Sequence, residues 1–451
     1  MAGHPRKSPC ERAQGRARVS LAGTPPRAAA ARDHERVVVT DPSELTERID
    51  TAPAGSQALA AIRAGSEHVY LVGGAVRDLM LGVSPADLDL VVVGDPGPLA
   101  SRLAAGAGTV RTHGRFGTAT VHGPQGVRYD LAATRSEAYP RPGALPVVTP
   151  AGIREDLTRR DFTVNALALG LSGPDDARLL TVAHSLDDLE HRQLRVLHEG
   201  SFRDDPTRLL RLARYAGRLG FSVEPWTAEL ARDAVAAAAP ATVSGPRLGA
   251  ELQLLVTEPD PVAGFEVLRA LGIDGAIAPG FGLDDPGAVR RALAARAGSA
   301  ADAAPILLGA ALLGVPEPAR RPLLDRLGVD RQLRREALAA AADAPGLAAR
   351  VPQDGPPSAL VDALPVDHPA TIALAAGLGS PAVAAVLQRW FDDYGRVRLE
   401  IDGGDLISAG VPRGPAISVG LRAALGARLD GTAPTRTQQL AVALGAARSG
   451  G

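Results

Sequence analysis

Lysine is almost missing from this 451-residue chain: Lys7 is the only one, and every other basic side chain is arginine. Cysteine is single, Cys10, which leaves no disulfide framework and no cysteine metal site and suits a reducing cytoplasm. Aromatic residues make up 3% of the chain, too few for a base-stacking platform of the single-strand-binding kind. The formal net charge is -1, so any contact with nucleic acid must come from local patches. No apolar run approaches the ~20 residues of a membrane helix, and the N-terminus lacks a signal peptide's apolar centre. The expectation is a cytoplasmic protein with no membrane partner, long enough for roughly two to four compact units.

What is present is concentrated in Tyr70 to Val93, YLVGGAVRDLMLGVSPADLDLVVV. An apolar run ends at Gly73 and Gly74, a helical segment follows, and a second apolar run opens with Asp87 and Asp89. Strand periodicity puts both carboxylates on one face. Held side by side they repel unless a divalent cation lies between them, and hard oxygen ligands suit magnesium. The paired glycines let backbone approach a phosphate at a helix N-terminus. Phosphoryl or nucleotidyl transfer on a metal is the first hypothesis, although a lone D-x-D on a strand end is often merely solvated.

Residues 1–40 are rich in Arg, Pro, Ala and Ser without periodicity and read as a disordered basic arm. A helix is expected from Pro42 through Ile62, and another from Asp95 to Ala107. THGRFGTATVHG and GVRYDLAAT read as two strands, with Asp130 opposite the apolar face of the second. Should that strand lie beside the one carrying Asp89, Asp130 is a third acid at the metal. Residues 135–156 contain four prolines and two glycines and read as a loop, too stiff for helix and too interrupted for strand.

In DLTRRDFTVNALALGL, Arg159 and Arg160 could clamp a triphosphate. Asp161 and Asn165, four apart on a helix, share a face and could fix a ribose. By itself this run is an ordinary helix start. Between Ser201 and Phe221 the helical projection gathers Arg208, Arg211, Arg214 and Arg218 within about a third of the circumference, with leucine and alanine on the other side. Such a strip is either a solvated face or one that binds phosphate or reads bases.

GGAVRD followed by DLDLVV resembles the signature of class II nucleotidyltransferases, the family of CCA-adding enzymes and bacterial poly(A) polymerases. RRDFTVNA is nearly the family's RRDFTINA. Asp204-Asp205-Pro206-Thr207-Arg208 resembles its E-D-x-x-R, with Asp204 in place of Glu, and PRLGAEL resembles its neck run E-R-I-x-x-E-L, with Gly245-Pro246 where an acid is usual. The resemblance implies an α+β catalytic head of the polymerase-beta-like kind with a small mixed sheet (41–185), then an all-α neck (186–262), body (263–395) and tRNA-binding tail (396–451).

It further implies template-independent addition of C, C and A from CTP and ATP to the 3′ end of tRNA. Asp87 and Asp89 would hold Mg²⁺, and Asp130 would help activate the RNA hydroxyl. Gly73, Gly74, Arg77 and Arg160 would cradle the triphosphate, with Asp161 and Asn165 beside it. Asp205, Arg208, Arg211 and Arg214 would face the base and phosphates. The 135–156 loop would close over the nucleotide. A poly(A) polymerase or a CC- or A-adding enzyme would share every head motif, and a catalytically silent RNA-binding scaffold is the rival of another class.

Overall fold

A computed structural model describes residues 38–51, 55–85, 87–105, 108–113, 117–123, 127–296, 303–365 and 368–449. The arm expected over 1–40 therefore falls almost wholly outside the described residues.

Two helices, α1 (Pro42–Thr51) and α2 (Gly55–Arg63), stand where one was expected. They lead to β1 (Val69–Val72), whose unbroken VYLV is buried on both faces, as a central strand must be. Next come α3 (Gly74–Met80), β2 (Leu88–Val92), α4 (Gly97–Leu103), β3 (Thr109–His113), β4 (Thr118–His122) and β5 (Arg128–Ala133). The segment expected as a plain loop contains a hairpin, β6 (Arg135–Ala138) against β7 (Val147–Pro150). Its prolines lie in the connection and at the last strand position, where no ladder hydrogen bond is lost. Then follow α5 (Ile153–Thr158), β8 (Leu167–Gly170) and β9 (Leu179–Thr181).

The main sheet runs β3-β4-β5-β2-β1-β8-β9. Only β2 and β5 are parallel, so it is mixed, and their register sets Asp89 directly beside Asp130. Leu88, Leu90, Tyr129, Leu131 and Val121 face one side, where Leu45, Ile62, Leu79 and Leu99 of the first four helices cover them. On the opposite side α5 lays Ile153 and Leu157 over Tyr70, Val72, Val91 and Ala168. That cover reaches only the β1 half of the sheet.

The chain continues through α6 (Ser185–Glu190), β10 (Gln193–Leu194), α7 (Ser201–Asp204), α8 (Thr207–Leu219) and β11 (Ser222–Val223), with β10 and β11 paired in parallel. Everything described after that is helical: α9 (Pro225–Ala236), α10 (Gly245–Leu255), α11 (Pro261–Leu271), α12 (Ile273–Ile277), α13 (Pro286–Ala295), α14 (Ala303–Ala311), α15 (Glu317–Arg326), α16 (Arg331–Arg350), α17 (Pro357–Ala363), α18 (Pro369–Leu378), α19 (Pro381–Asp392), α20 (Gly403–Ser408), α21 (Pro415–Leu429) and α22 (Arg436–Ser449). The α+β class with a helical remainder is as the sequence implied.

Many of these helices start the same way, with an acceptor side chain followed by proline. Glu224-Pro225, Asp260-Pro261, Asp285-Pro286 and Ser380-Pro381 each cap the orphan N–H groups of the first turn. The last three helices enclose a small core of their own, around Leu406, Ala424 and Ala443. α10 lies directly on the backbone at the end of α15. A Cβ on Gly245 would stand 2.0 Å from the Arg326 carbonyl oxygen, and one on Gly249 1.7 Å from that of Leu327. The glycine that replaces the family's acid before the neck run is thus required by close packing.

Candidate active site

A cleft of about 280 Å³ opens between the β1–α3 turn, the β6 strand, the α5–β8 segment and α8. Of the residues singled out by sequence, Gly73, Gly74, Asp89, Arg159, Arg160, Asp161, Asn165, Asp205, Arg208 and Arg211 line it. Asp87 lies at the bend just before β2, and Asp130 stands beside Asp89 across the strand pair. Arg77 and Arg214 are not on the lining.

Gly73 turns the chain from β1 into α3 at φ 68°, a conformation that side-chain-bearing residues rarely adopt. Its missing side chain also leaves room for Arg160, whose Nη1 is 2.9 Å from where a Cβ would be. Arg160 donates from Nη2 to Asp156 (2.9 Å), while its Nε is buried with no protein acceptor. It is the least engaged guanidinium in the cleft.

The other arginines are held by protein partners. Arg159 donates to Asp156 and Glu137. Arg208 donates to Ser201 Oγ (2.6 Å) and to the Arg159 carbonyl (2.7 Å). Arg211 binds Asp161 and Glu251. Asp156 is fully buried; burial alone would raise its pKa, but Arg160 and Arg159 hold it below the usual carboxylate range. Burial likewise opposes ionisation of Asp161, and the Arg211 guanidinium with Asn165 overrides it, keeping that carboxyl well below the ordinary value.

Three expectations meet a different local structure. Arg77 is not open to the cleft: it is 1% exposed, with Nη1 on Asn165 Oδ1 and Nε and Nη2 on Asp78. Arg214 is equally spoken for, paired with Glu251 (3.0 Å) and Glu258 (3.1 Å) and stacked 4.7 Å from the Tyr215 ring centroid. The arginine strip of α8 is real, but α10 and its C-terminal end supply carboxylates along it. Asp161 and Asn165 are not on a helix either. α5 stops at Thr158, and a single tight turn at Thr163–Asn165 precedes β8. The turn still joins them, Asn165 Nδ2 donating to Asp161 Oδ1 at 3.0 Å.

Glu137, Tyr139 and Tyr215 also line the cleft and were missed. Glu137 and Tyr139 lie just before Pro140 in a segment that gave no strand signal. Burial and the neighbouring Glu137 push the Tyr139 phenol up to about 12, so it stays neutral and donates to Glu137 Oε2. Tyr215 collects Arg77, Arg211 and Arg214 round its ring and meets Phe162 edge-on.

At the acidic edge, desolvation in the cleft, Asp130 and Asp87 together raise the pKa of Asp89, partly opposed by Arg160. Carboxylates that repel in this way fit a hard divalent ion between them. Asp130 is meanwhile occupied, accepting from Thr120 Oγ1 (2.8 Å) and paired with Arg128 (2.7 Å). Among the described residues no group of three or more His, Cys, Asp or Glu side chains is placed to hold a metal ion by itself. The donor set that fits is the all-oxygen pair Asp87 and Asp89.

Residues 69–195 match the poly(A) polymerase head domain family. An A-adding tRNA nucleotidyltransferase of Halalkalibacterium halodurans is 41% identical over 209 residues, 46% of this chain and 49% of that protein. A CC-adding tRNA nucleotidyltransferase of Deinococcus radiodurans is 44% identical over 223 residues, 49% of this chain and 58% of that protein. The matched region thus spans about half the length of these curated relatives. Over nearly the whole chain the likeness is structural: the apo form II of a CCA-adding enzyme superposes with TM-score 0.71 at 26% identity, covering 90% of this chain and 98% of that one. The Thermotoga maritima CCA-adding enzyme complexed with tRNA gives 0.68 at 26% identity, again covering 90% and 98%. Its head is thus a poly(A) polymerase head domain, and the chain has the fold of the CCA-adding enzymes.

Nucleotidyltransferases with this kind of head generally use divalent metal ions. No described helix is long and apolar enough to cross a membrane.

Proposed function

We propose that this chain is a tRNA nucleotidyltransferase that adds C, C and A from CTP and ATP to the 3′ end of tRNA with Mg²⁺. The observation that carries the reading is that Arg160 lines the cleft with Gly73, Gly74 and Asp89, sets its Nη1 beside Gly73 and gives hydrogen bonds to Asp156 alone. A guanidinium with buried unused donors beside a backbone cradle is a receptor for phosphate oxygens.

Asp87 and Asp89 are the residues that would hold Mg²⁺. The ion, when bound, supplies charge neutralisation for the triphosphate and lowers the pKa of the attacking hydroxyl. Arg160 and the N–H groups at the start of α3 hold the phosphates in line. The RNA 3′-oxygen forms a bond to the α-phosphorus as the bond to the β-phosphate bridge breaks. Its proton passes to Asp130, and pyrophosphate leaves.

Base choice falls to α8. Asp205 Oδ1 accepts from Thr207 N (3.1 Å), Thr207 Oγ1 (2.7 Å) and Arg247 (3.0 Å), which fixes the carboxylate while Oδ2 remains as an acceptor. Arg208 uses two of its five N–H donors on protein. An acceptor beside donors suits the Watson-Crick edge of cytosine or adenine. Asn165 keeps one N–H for the sugar. Arg77 and Arg214 serve as positioning residues under Asn165 and Tyr215.

A narrower specificity is the second reading, favoured by the similarity to relatives that add only A or only CC. Purified protein, Mg²⁺ and tRNA trimmed of its last three nucleotides, given labelled CTP, ATP or both, test the proposal. Extension by C, C, A and a stop supports it. CC alone, or A alone on tRNA ending in CC, gives the second reading, and long A tracts give a poly(A) polymerase. No incorporation with any mixture overturns the enzymatic reading.

A further inference from the structure

On the side of the main sheet that carries Asp89, the apolar cover built on α5 spans β1, β2, β8 and β9 and touches β5 only at Ala132. Toward β3 the same side is bare and polar rather than apolar. Register fixes what stands there. Arg111 pairs with Thr120, Thr120 with Asp130 and Asp130 with Asp89, one residue per strand along a single row. His122 pairs with Arg128 in the row behind, on the same side.

Beyond Asp130 the charge changes sign. β3 and β4 contain no acidic residue at all. Arg128 is half exposed and neutralises Asp130, and Arg111 is exposed with no ion pair among the described residues. An uncovered sheet face ordinarily shows scattered charges of both signs. Here the charges named beside and beyond the acids are both arginines, Arg128 on the strand of Asp130 and Arg111 at the sheet edge. The three strand steps from β2 to β3 span about 14 Å at ~4.8 Å each. That is about four nucleotides of a stacked strand at ~3.4 Å each.

We propose that this bare half-face is the track for the 3′-terminal phosphodiester backbone of the RNA acceptor, with Arg111 and Arg128 on its phosphates. The inference rests on the reading of the chain as an RNA nucleotidyltransferase, because the strand's last oxygen must end at Asp89 and Asp130. Continuity with that edge and charge complementarity choose a polyanion over a protein partner.

The test is equilibrium binding of tRNA lacking its last three nucleotides, over about 50 to 200 mM salt. Arg111→Gln is expected to raise Kd several-fold and to lower the slope of log K against log salt by about 0.7, the value for one single-strand phosphate contact. KM for CTP should stay unchanged. Arg128→Gln should lower the slope by a similar amount, and the double variant by about twice as much. Arg335→Gln, on distant α16, serves as the charge control and should bind as the unaltered chain does. Unchanged slope and Kd in Arg111→Gln and Arg128→Gln, or an equal loss in Arg335→Gln, overturn the track. If the unaltered chain extends tRNA while these slopes stay fixed, only the track fails; if it extends nothing, the parent reading fails.

Discussion

Asp161 is the residue on which the cleft wall turns, and replacing it measures that role. Its carboxylate accepts from Phe162 N (2.8 Å), Asn165 Nδ2 (3.0 Å) and two nitrogens of Arg211, and it is 7% exposed. Asp161→Asn keeps the shape and one acceptor oxygen, so the change is chiefly the loss of charge opposite Arg211. Stripping one partner from a buried pair costs about 3–5 kcal/mol. Arg211 retains Glu251 and is 29% exposed, so the expected loss is about 2–3 kcal/mol. Arg211→Met should cost about as much, while the double variant should cost nearly the same as either alone. That is a coupling of about 2 kcal/mol in a double-mutant cycle read by denaturant unfolding at neutral pH. The pH dependence has a definite sign. The native carboxyl lies below its unfolded value of about 3.9, so its contribution is complete at neutral pH. It shrinks by about 1.4 kcal/mol per unit as pH falls below that value and is gone once the native carboxyl protonates. Additivity within about 0.5 kcal/mol at pH 7, or a gap between the unaltered chain and Asp161→Asn that widens in acid, refutes the assignment.

Three further outcomes follow from the geometry. Asp89→Asn should lower turnover by at least about a thousandfold while tRNA binding in a filter assay is retained, since a cation ligand is removed and no RNA contact is. Gly73→Ala meets both an unfavourable φ and Arg160; it should cost about 1–2 kcal/mol in thermal unfolding and raise KM for CTP about tenfold. Glu224→Ala removes the acceptor for Trp226 N and Thr227 N at the head of α9 and should cost about 1–2 kcal/mol at pH 7. Burial opposes the ionisation of Glu224, but those N–H groups hold its pKa below the usual value. The cost in Glu224→Ala should therefore diminish as pH falls below about 4, and a cost independent of pH would assign it to packing instead.

The acidic edge was legible because strand periodicity is local: Asp89 and Asp130 each stand opposite the apolar face of their own strand, while Asp87 falls at a bend just before β2, outside that periodicity. Their adjacency needed only that β2 and β5 be neighbours. The arginine face of α8 was legible for the same reason, yet its meaning was not. Glu251 and Glu258 lie 37 to 44 residues beyond the arginines they pair with and turn much of that face into an ion-pair lattice. Nothing in the local pattern of Arg77 foretells that Tyr215 and Asn165 will close over it. The helix expected through Asp161 fails because its side chain takes the next backbone N–H, competing with the helical ladder. The β6–β7 hairpin was hidden by prolines that a two-stranded ribbon tolerates at its ends.

The bare contact of α10 with the end of α15 limits how this chain can be recombined with its relatives. Two backbones meet there with no intervening atoms, so the joint has no tolerance for even a methyl group. A chimaera that joins this head to the helical half of a homologue, or grafts a homologue's neck into this chain, will seat only when both spots stay unsubstituted. Hybrids for exchanging nucleotide preference should therefore be cut before Ser244 or after Val329, keeping that contact from a single parent.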